Sequence, residues 1–298
     1  MITILVRKDF PSEALEALRQ IPEIELVFDD FQRFREPGSS IFPQTVDALI
    51  TDHRIPYQNG WDELFPGLKL VVSLGLPPSW DLDANVSDSG VECRYTSDAG
   101  SVSVAEMTVA SMVCLSRRKA WLNPDEDAEP SALELSGKTL GIVGFGNIGK
   151  QVARLAHAFG MTILCCDPRG SEGGPKARFT TLQELVEEAD YISLNLPLNR
   201  QTRGLFSHEI FASMRPGTYL IDMSQEGIVD VQAMIEAVET GKLAGVSADV
   251  YDRKRRKELD LDRFPHCIWL PLRSAATRET QARAGLEAVR IVKEYFNV

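Results

Sequence analysis

Residues 139–167 read TLGIVGFGNIGKQVARLAHAFGMTILCCD. An apolar run, Leu140 to Val143, meets Gly144-Phe145-Gly146-Asn147-Ile148-Gly149; an amphipathic helix pattern follows, then a second apolar run, Met161 to Cys166, ending on Asp167. In such a unit Gly144 permits the turn out of the strand, Gly146 lets backbone approach a pyrophosphate, and Gly149 lets the helix pack closely on the sheet. The helix N-terminus offers N–H groups and a partial positive charge to the anion. Asp167 lies 23 residues beyond Gly144, at the end of the second strand, where a carboxylate accepts both ribose hydroxyls of an adenosine. A lone glycine motif is weak evidence, but strand, glycines, helix, strand and acid in this order predict a dinucleotide site. Asp167 favours NAD over NADP because it repels a 2′-phosphate; Pro168 and Arg169 flank the same place, and Arg169 pulls the other way.

The rest of the composition bounds the chain around this unit. At 298 residues it is long enough for two domains with full cores, and 44% apolar with 25% charged residues is ordinary for a globular protein. A net charge of −11 argues against a nucleic-acid or anionic-membrane surface. No apolar run reaches the roughly 18 residues of a spanning helix, and Met1 to Val6 reads as a strand rather than a signal peptide. The five cysteines show no metal-ligand spacing, so no metal is expected. Neighbouring Cys165 and Cys166 point to opposite faces of a strand and make a poor disulfide pair. A reducing cytoplasm is the simplest reading.

Strand and helix patterns alternate through the first hundred residues: strands at Ile2 to Arg7, Glu23 to Phe28, Asp47 to Ile50, Leu68 to Gly75 and Val91 to Tyr95, with a helix over Pro11 to Gln20. This predicts a small parallel α/β domain. Ser101 to Ala120 is a long, mostly buried helix with a stripe through Val104, Met107, Thr108, Ser111 and Leu115, and the Pro- and acid-rich Asn123 to Pro130 follows as a linker. Beyond the glycine unit, strands are expected at Ala189 to Pro197, Thr218 to Met223, Leu243 to Tyr251 and Cys267 to Leu270, with helices at Val229 to Thr240 and Arg278 to Phe296. The fold class is α/β, with two parallel-sheet domains of Rossmann-like and flavodoxin-like type.

Further segments carry a resemblance: Ser103-Val104-Ala105-Glu106, GKTLGIVGFGNIGK, ADYISLNLPLNRQTRGL (Ala189 to Leu205), MRPGTYLIDMSQEGIVD, GKLAGVSADVY and LPLRSAATRETQARAG. Together they resemble the D-isomer-specific 2-hydroxyacid dehydrogenases over most of the chain. The resemblance implies an NAD-binding domain over 101–272 and a substrate domain made of 1–100 and 273–298, with the active site in a cleft between them. It also implies a homodimer, a small and anionic substrate, and cofactor contacts at Thr108, Gly144, Gly146, Asn147, Ile148, Gly149, Asp167, Leu196, Pro197, Thr202, Met223 and Asp249. The acid matching Asp249 takes the nicotinamide amide in relatives.

The family's chemistry uses an arginine that binds the substrate carboxylate, a histidine that carries the hydroxyl proton and a glutamate that orients the histidine. The arginine opens a Ser-Arg-Gly-Gly turn, which here reads Ser224-Gln225-Glu226-Gly227; Lys254 stands at the glutamate's position and Leu272 at the histidine's. Losing a general acid–base costs about 10²–10⁴ in rate, and leucine moves no proton. Gly75-Leu76-Pro77-Pro78-Ser79-Trp80 also replaces the family's glycine-rich substrate turn with a stiff, aromatic one.

Four residues are candidates to fill the gap: His53 and Arg54 beyond the third strand, Gln225 itself, and Arg273 as a positive charge near the nicotinamide. His266 precedes the last strand, on the order of 16 Å from the missing histidine's place, and is excluded. His157 and His208 read as surface residues. The basic run Arg253 to Arg256 reads as a solvated loop. Two functions follow: an NAD(H)-dependent oxidoreductase with a non-standard substrate or mechanism, or a catalytically inactive NAD-binding protein acting as a structural, partner-binding or redox-sensing dimer.

Overall fold

The computed structural model of the chain describes residues 1–29, 46–52, 65–75, 90–122, 132–170 and 177–298. It divides into two compact units, Met1–Gly100 with Ala276–Val298, and Ser101–Ala275. The return to the first unit was expected at residue 273; the structure places it at Ala276. His53, Arg54, the segment Leu76 to Trp80 and the linker Asn123 to Pro130 lie outside the described residues.

The first unit is a five-stranded parallel sheet of β1 (Ile2–Arg7), β2 (Ile24–Asp29), β3 (Ala48–Asp52), β4 (Leu70–Leu74) and β5 (Glu92–Tyr95), in the order β2-β1-β3-β4-β5. Its central strands are apolar at nearly every position because both faces are covered. Ile4, Val6, Ala48, Ile50, Leu70 and Val72 enter one core, while Leu5, Leu49 and Val71 enter the other. The alternation follows from the two-residue period of a strand. Helix α1 (Ser12–Arg19) buries Ala14 and Leu18 in the first core, and the last helix, α8 (Arg278–Phe296), covers the same face with Ala288, Val289, Ile291 and Val292. Gly285 lets the two helices meet.

The second unit holds seven parallel strands: β6 (Thr139–Val143), β7 (Thr162–Cys166), β8 (Arg178–Phe179), β9 (Tyr191–Leu194), β10 (Thr218–Asp222), β11 (Leu243–Ala248) and β12 (Ile268–Trp269). The order β12-β11-β10-β9-β6-β7-β8 is doubly wound, and its direction reverses between β6 and β9. That reversal opens a crevice at the carboxyl ends of the strands, the place where such sheets bind ligands. Helix α2 (Ser101–Leu122) closes one face through Val104, Ala105, Val109, Met112 and Leu115. Helix α3 (Asn147–Ala158) adds Gly149, Val152, Ala153 and Ala156, which recur at helical spacing. Helices α4 (Leu182–Glu188), α5 (His208–Ser213) and α6 (Val231–Glu239) belong to the other face, where Leu185, Phe211 and Met234 are buried. Cys165 enters the first of these cores and Cys166 packs against the second, as opposite strand faces require.

One expectation is corrected. Residues 253–256 are not a loop: Arg253–Glu258 form helix α7, because Asp252 accepts from the Arg255 N–H at 2.7 Å and caps the first turn. No described helix is long and apolar enough to cross a membrane.

A Cβ on Gly285 would lie 2.7 Å from the Ala14 Cβ and 3.1 Å from the Pro11 Cγ. Gly285→Val therefore overpacks the α1–α8 contact and is expected to cost about 1–3 kcal/mol, read as a lower urea or thermal midpoint. An unchanged midpoint would show that the two helices do not pack this closely.

Candidate nucleotide-binding site

The three glycines of the β6–α3 turn do different physical work. Gly144 has φ +92°, and a Cβ there would sit 2.5 Å from the Asn195 carbonyl oxygen. A Cβ on Gly149 would sit 2.2 Å from the Gly144 carbonyl oxygen. Both glycines are demanded by the fold itself. Gly146 is different: among the described residues a Cβ there meets only the Arg169 Nη2, at 3.7 Å, and its φ of −74° suits any residue. The protein's own packing does not require a glycine at 146, whereas a phosphate held against the backbone does. Gly146 also caps α3 without a side-chain hydrogen bond of its own, at the positive end of the helix. The residues present therefore fit a dinucleotide's pyrophosphate.

Asp167 stands at the end of β7, beside this turn. Its Oδ2 accepts from the Phe145 N–H at 2.7 Å and from Arg169 Nη2 at 3.1 Å; its Oδ1 accepts from the Arg169 N–H at 2.9 Å and Nε at 3.1 Å. Burial would raise the carboxyl, but the Arg169 side chain and the two main-chain donors hold it below the usual carboxylate range. It is ionised at neutral pH, as a ribose acceptor must be. Pro168 and Arg169 are exposed beside it. Burial, with the Asp167 charge adding to it, pushes the neighbouring Cys165 thiol up to about 12, so it carries no thiolate there.

The opposite wall of the turn is the loop after β9. Leu196 is half-buried and Pro197 exposed; Thr202 Oγ1 donates to the Pro197 carbonyl at 2.7 Å and accepts from the Asn199 N–H at 2.8 Å, which stiffens the loop. Thr108 is fully buried with its hydroxyl donated to the Val104 carbonyl at 2.9 Å, and Met223 is packed in the core, so neither presents side-chain surface.

Beyond the ends of β10, β11 and β12 lie Gln225, Lys254 and Leu272, the positions that the sequence resemblance singled out. Gln225 Oε1 accepts from the Leu198 N–H at 2.7 Å, which turns the amide onto the β9 loop. Glu226 pairs with Arg255 at 2.6 Å, and Arg255 and Lys254 both lie against Glu258, at 3.4 and 3.8 Å. Asp249 accepts from the N–H groups of Arg273 and Ser274 at 2.9 and 2.7 Å and so pins the segment after β12. Arg273 itself projects outward, exposed. Leu272 precedes this pinned pair with φ +57°, a conformation rare for leucine, and is 53% exposed. A cavity of about 290 Å³ brings Leu272 together with Lys254, Glu226, Arg255 and Glu258. None of the described histidines lines it: His157 is exposed on α3, His208 opens α5 against Glu236 at 3.3 Å, and His266 lies edge-on to Phe264.

Two features of this region escaped the sequence reading. Asp222, 1% exposed at the end of β10, accepts hydrogen bonds from the Ser224 hydroxyl and, at 3.0 Å, its N–H. A charge closing the otherwise apolar run TYLID was the available signal. The Glu226–Arg255 pair spans 29 positions and has no local signature.

A family model for the NAD binding domain of D-isomer specific 2-hydroxyacid dehydrogenases matches residues 107–272. Hydroxypyruvate reductase of Thermotoga maritima is 32% identical over 303 aligned residues, which cover 97% of each chain. D-3-phosphoglycerate dehydrogenase of Methanocaldococcus jannaschii is 28% identical over 99% of this chain, which spans only 57% of that protein. Among solved structures, the TT0316 protein of Thermus thermophilus superposes with a TM-score of 0.78 at 26% identity, covering 97% of this chain and 94% of that one.

Burial pushes the Asp222 carboxyl from 3.8 up to about 6, against the opposing pull of the Ser224 bonds. A raised acid pKa stabilises the fold fully below pH about 4 and loses that contribution as pH rises through about 6, a change of about 3 kcal/mol. Asp222→Asn should therefore be more stable than the parent at pH 8 and lose that advantage at pH 4. Denaturant midpoints across this range check it; a pH-independent difference would contradict it.

Proposed function

The chain belongs to the D-isomer-specific 2-hydroxyacid dehydrogenase family, and from that premise we propose that it binds NAD(H) but does not use the family's arginine–glutamate–histidine route. The observation that carries this is the Gln225 amide, folded onto the Leu198 N–H at 2.7 Å where the resemblance places a substrate-binding arginine. A bidentate arginine–carboxylate pair contributes charge-assisted bonds of about 1.5–3 kcal/mol each, and a neutral amide already engaged with backbone supplies none of them. Leu272 at the histidine's position moves no proton, which costs about 10²–10⁴ in rate. Lys254 at the glutamate's position is bound into the Glu258–Arg255–Glu226 network.

Bound NAD(H) supplies the hydride chemistry; the chain's own residues supply binding and orientation. Gly146 and the first turn of α3 receive the pyrophosphate, Asp167 the adenosine ribose, and Asp249, already holding residues 273–274, the carboxamide end. The substrate on this reading is a small carbonyl or imine compound that does not depend on an arginine clamp. Arg273, exposed beside Asp249, is the positive group at hand, and His53 and Arg54 stay candidates from the sequence. We place the protein in a reducing cytoplasm, a setting that suits its five free cysteines, and as a homodimer on the family resemblance alone. A second reading, an NAD(H)-binding protein without turnover, is favoured by the closed ion-pair network around the cavity.

Screening 2-oxo acids, aldehydes and imines for NADH oxidation separates the two. Turnover of one class other than 2-oxo acids supports the oxidoreductase reading; binding without turnover on any of them supports the second. Replacing Gln225→Arg, Lys254→Glu and Leu272→His together should raise 2-oxo acid reduction by at least about 10²-fold. No gain, with NADH still bound, would show that more than these three groups separates the chain from its relatives.

A further inference from the structure

The cavity of about 290 Å³ adjoins Asp249 through the chain on two sides: Val250 follows Asp249, and Leu272 precedes the Arg273 whose N–H that carboxylate accepts. Val250 and Leu272 are its apolar lining. Its other lining residues are charged, with Lys254 and Arg255 set against Glu226, Asp252 and Glu258. These groups offset one another's charge without using up their bonding capacity. Lys254 Nζ lies 3.8 Å from Glu258, beyond hydrogen-bond reach, so its N–H donors are open among the described residues. Arg255 takes one oxygen of Glu226, and Asp252 caps α7 with one of its own, so each of these acids keeps a second oxygen as acceptor.

We propose that this cavity takes a small amino or imino acid with an apolar side chain, and that the compound reduced there is a protonated imine. The proposal rests on the oxidoreductase reading above for the reduction, and on the cavity alone for the binding. An oxo acid brings one negative charge, which Lys254 attracts and three carboxylates oppose. An amino acid brings both charges. Its carboxylate meets Lys254, its ammonium the open oxygens of Glu226 and Asp252, and its side chain Leu272 and Val250. The proton balance favours the same class. Reducing a carbonyl adds a hydride at carbon and a proton at oxygen, which calls for a proton donor, and none of the described histidines lines the cavity. A protonated imine carries its proton already. Its carbon accepts the hydride from NADH, the C=N π pair passes to nitrogen, and the products are NAD⁺ and an amine that then takes a proton from water. Glu226 and Asp252 hold the positive charge that enters with the imine.

Calorimetric titration of D- and L-leucine, and of the oxo acid and the amine with the same carbon skeleton, into the parent, Glu226→Gln and Lys254→Met reads binding without turnover. One leucine enantiomer should bind the parent at least about tenfold tighter than the oxo acid or the amine. Glu226→Gln should weaken leucine about three- to tenfold and leave the oxo acid no weaker; Lys254→Met should weaken leucine and the oxo acid alike and spare the amine. The two side chains are 46% and 85% exposed, so both variants should stay folded. Leucine bound no tighter than the oxo acid, or bound equally by all three proteins, would overturn the site. In turnover, NADH should be consumed with the oxo acid and ammonia together and not with the oxo acid alone. Consumption with the oxo acid alone, or with neither, by a protein that binds NADH would overturn the imine step. Leucine bound as expected by a protein that fails to bind NADH would overturn the cofactor reading and uphold the ligand site.

Discussion

The hydrogen bond from the Phe145 N–H to Asp167 Oδ2, 2.7 Å long, ties the glycine turn after β6 to the acid at the end of β7. Neither partner has freedom to move. Gly144 holds a positive φ against the Asn195 backbone, and Gly149 brings α3 down onto the Gly144 carbonyl. Strand, turn and helix are thereby set closely against one another, and the acid is set against the turn they make. The doubly wound sheet supplies the crevice beside it, because strand order reverses between β6 and β9. A site for a dinucleotide follows from packing constraints before any reacting group is considered.

The ends of β10 and β11 obey a different logic. There the polar side chains satisfy one another and the neighbouring backbone. Gln225 bonds the backbone of the neighbouring loop, Glu226 is neutralised by Arg255, and Lys254 and Arg255 share Glu258. Asp249 keeps residues 273–274 in place, directly after Leu272. On the function proposed above, the framework for holding NAD(H) and the apparatus for acting on a 2-oxo acid come apart, since the first depends on backbone geometry and the second on three separate side chains.

What could be read from the sequence divides along the same line. Periodic, uninterrupted elements were legible: α8 spans Arg278–Phe296 as its pattern implies, and β6–α3–β7 follows the glycine unit. Short elements were not. Helix α7 looks like a charged loop because none of Arg253–Glu258 is buried, and only the Asp252 cap betrays it. β11 ends at Ala248 rather than Tyr251, because Asp249 leaves the ladder to cap the segment after β12. The identities at 225, 254 and 272 were plain in the sequence, but the contacts made around them were not. The Glu226–Arg255 pair, the buried Asp222 and the Arg169 cover on Asp167 all depend on approaches that only the folded chain defines.

The central claim is that Gly146 is kept for a ligand while Gly144 and Gly149 are kept for the fold. Calorimetric titration of NADH into the parent and into Gly146→Val measures it directly. The account predicts one saturable NADH site per chain in the parent, and in the variant a folded protein whose midpoint falls by no more than the loss of a helix cap, about 1 kcal/mol, with binding weakened at least about 10²-fold, since a side chain then fills the approach to the backbone. NADH bound equally well by a folded Gly146→Val protein, or not bound by the parent, would contradict it.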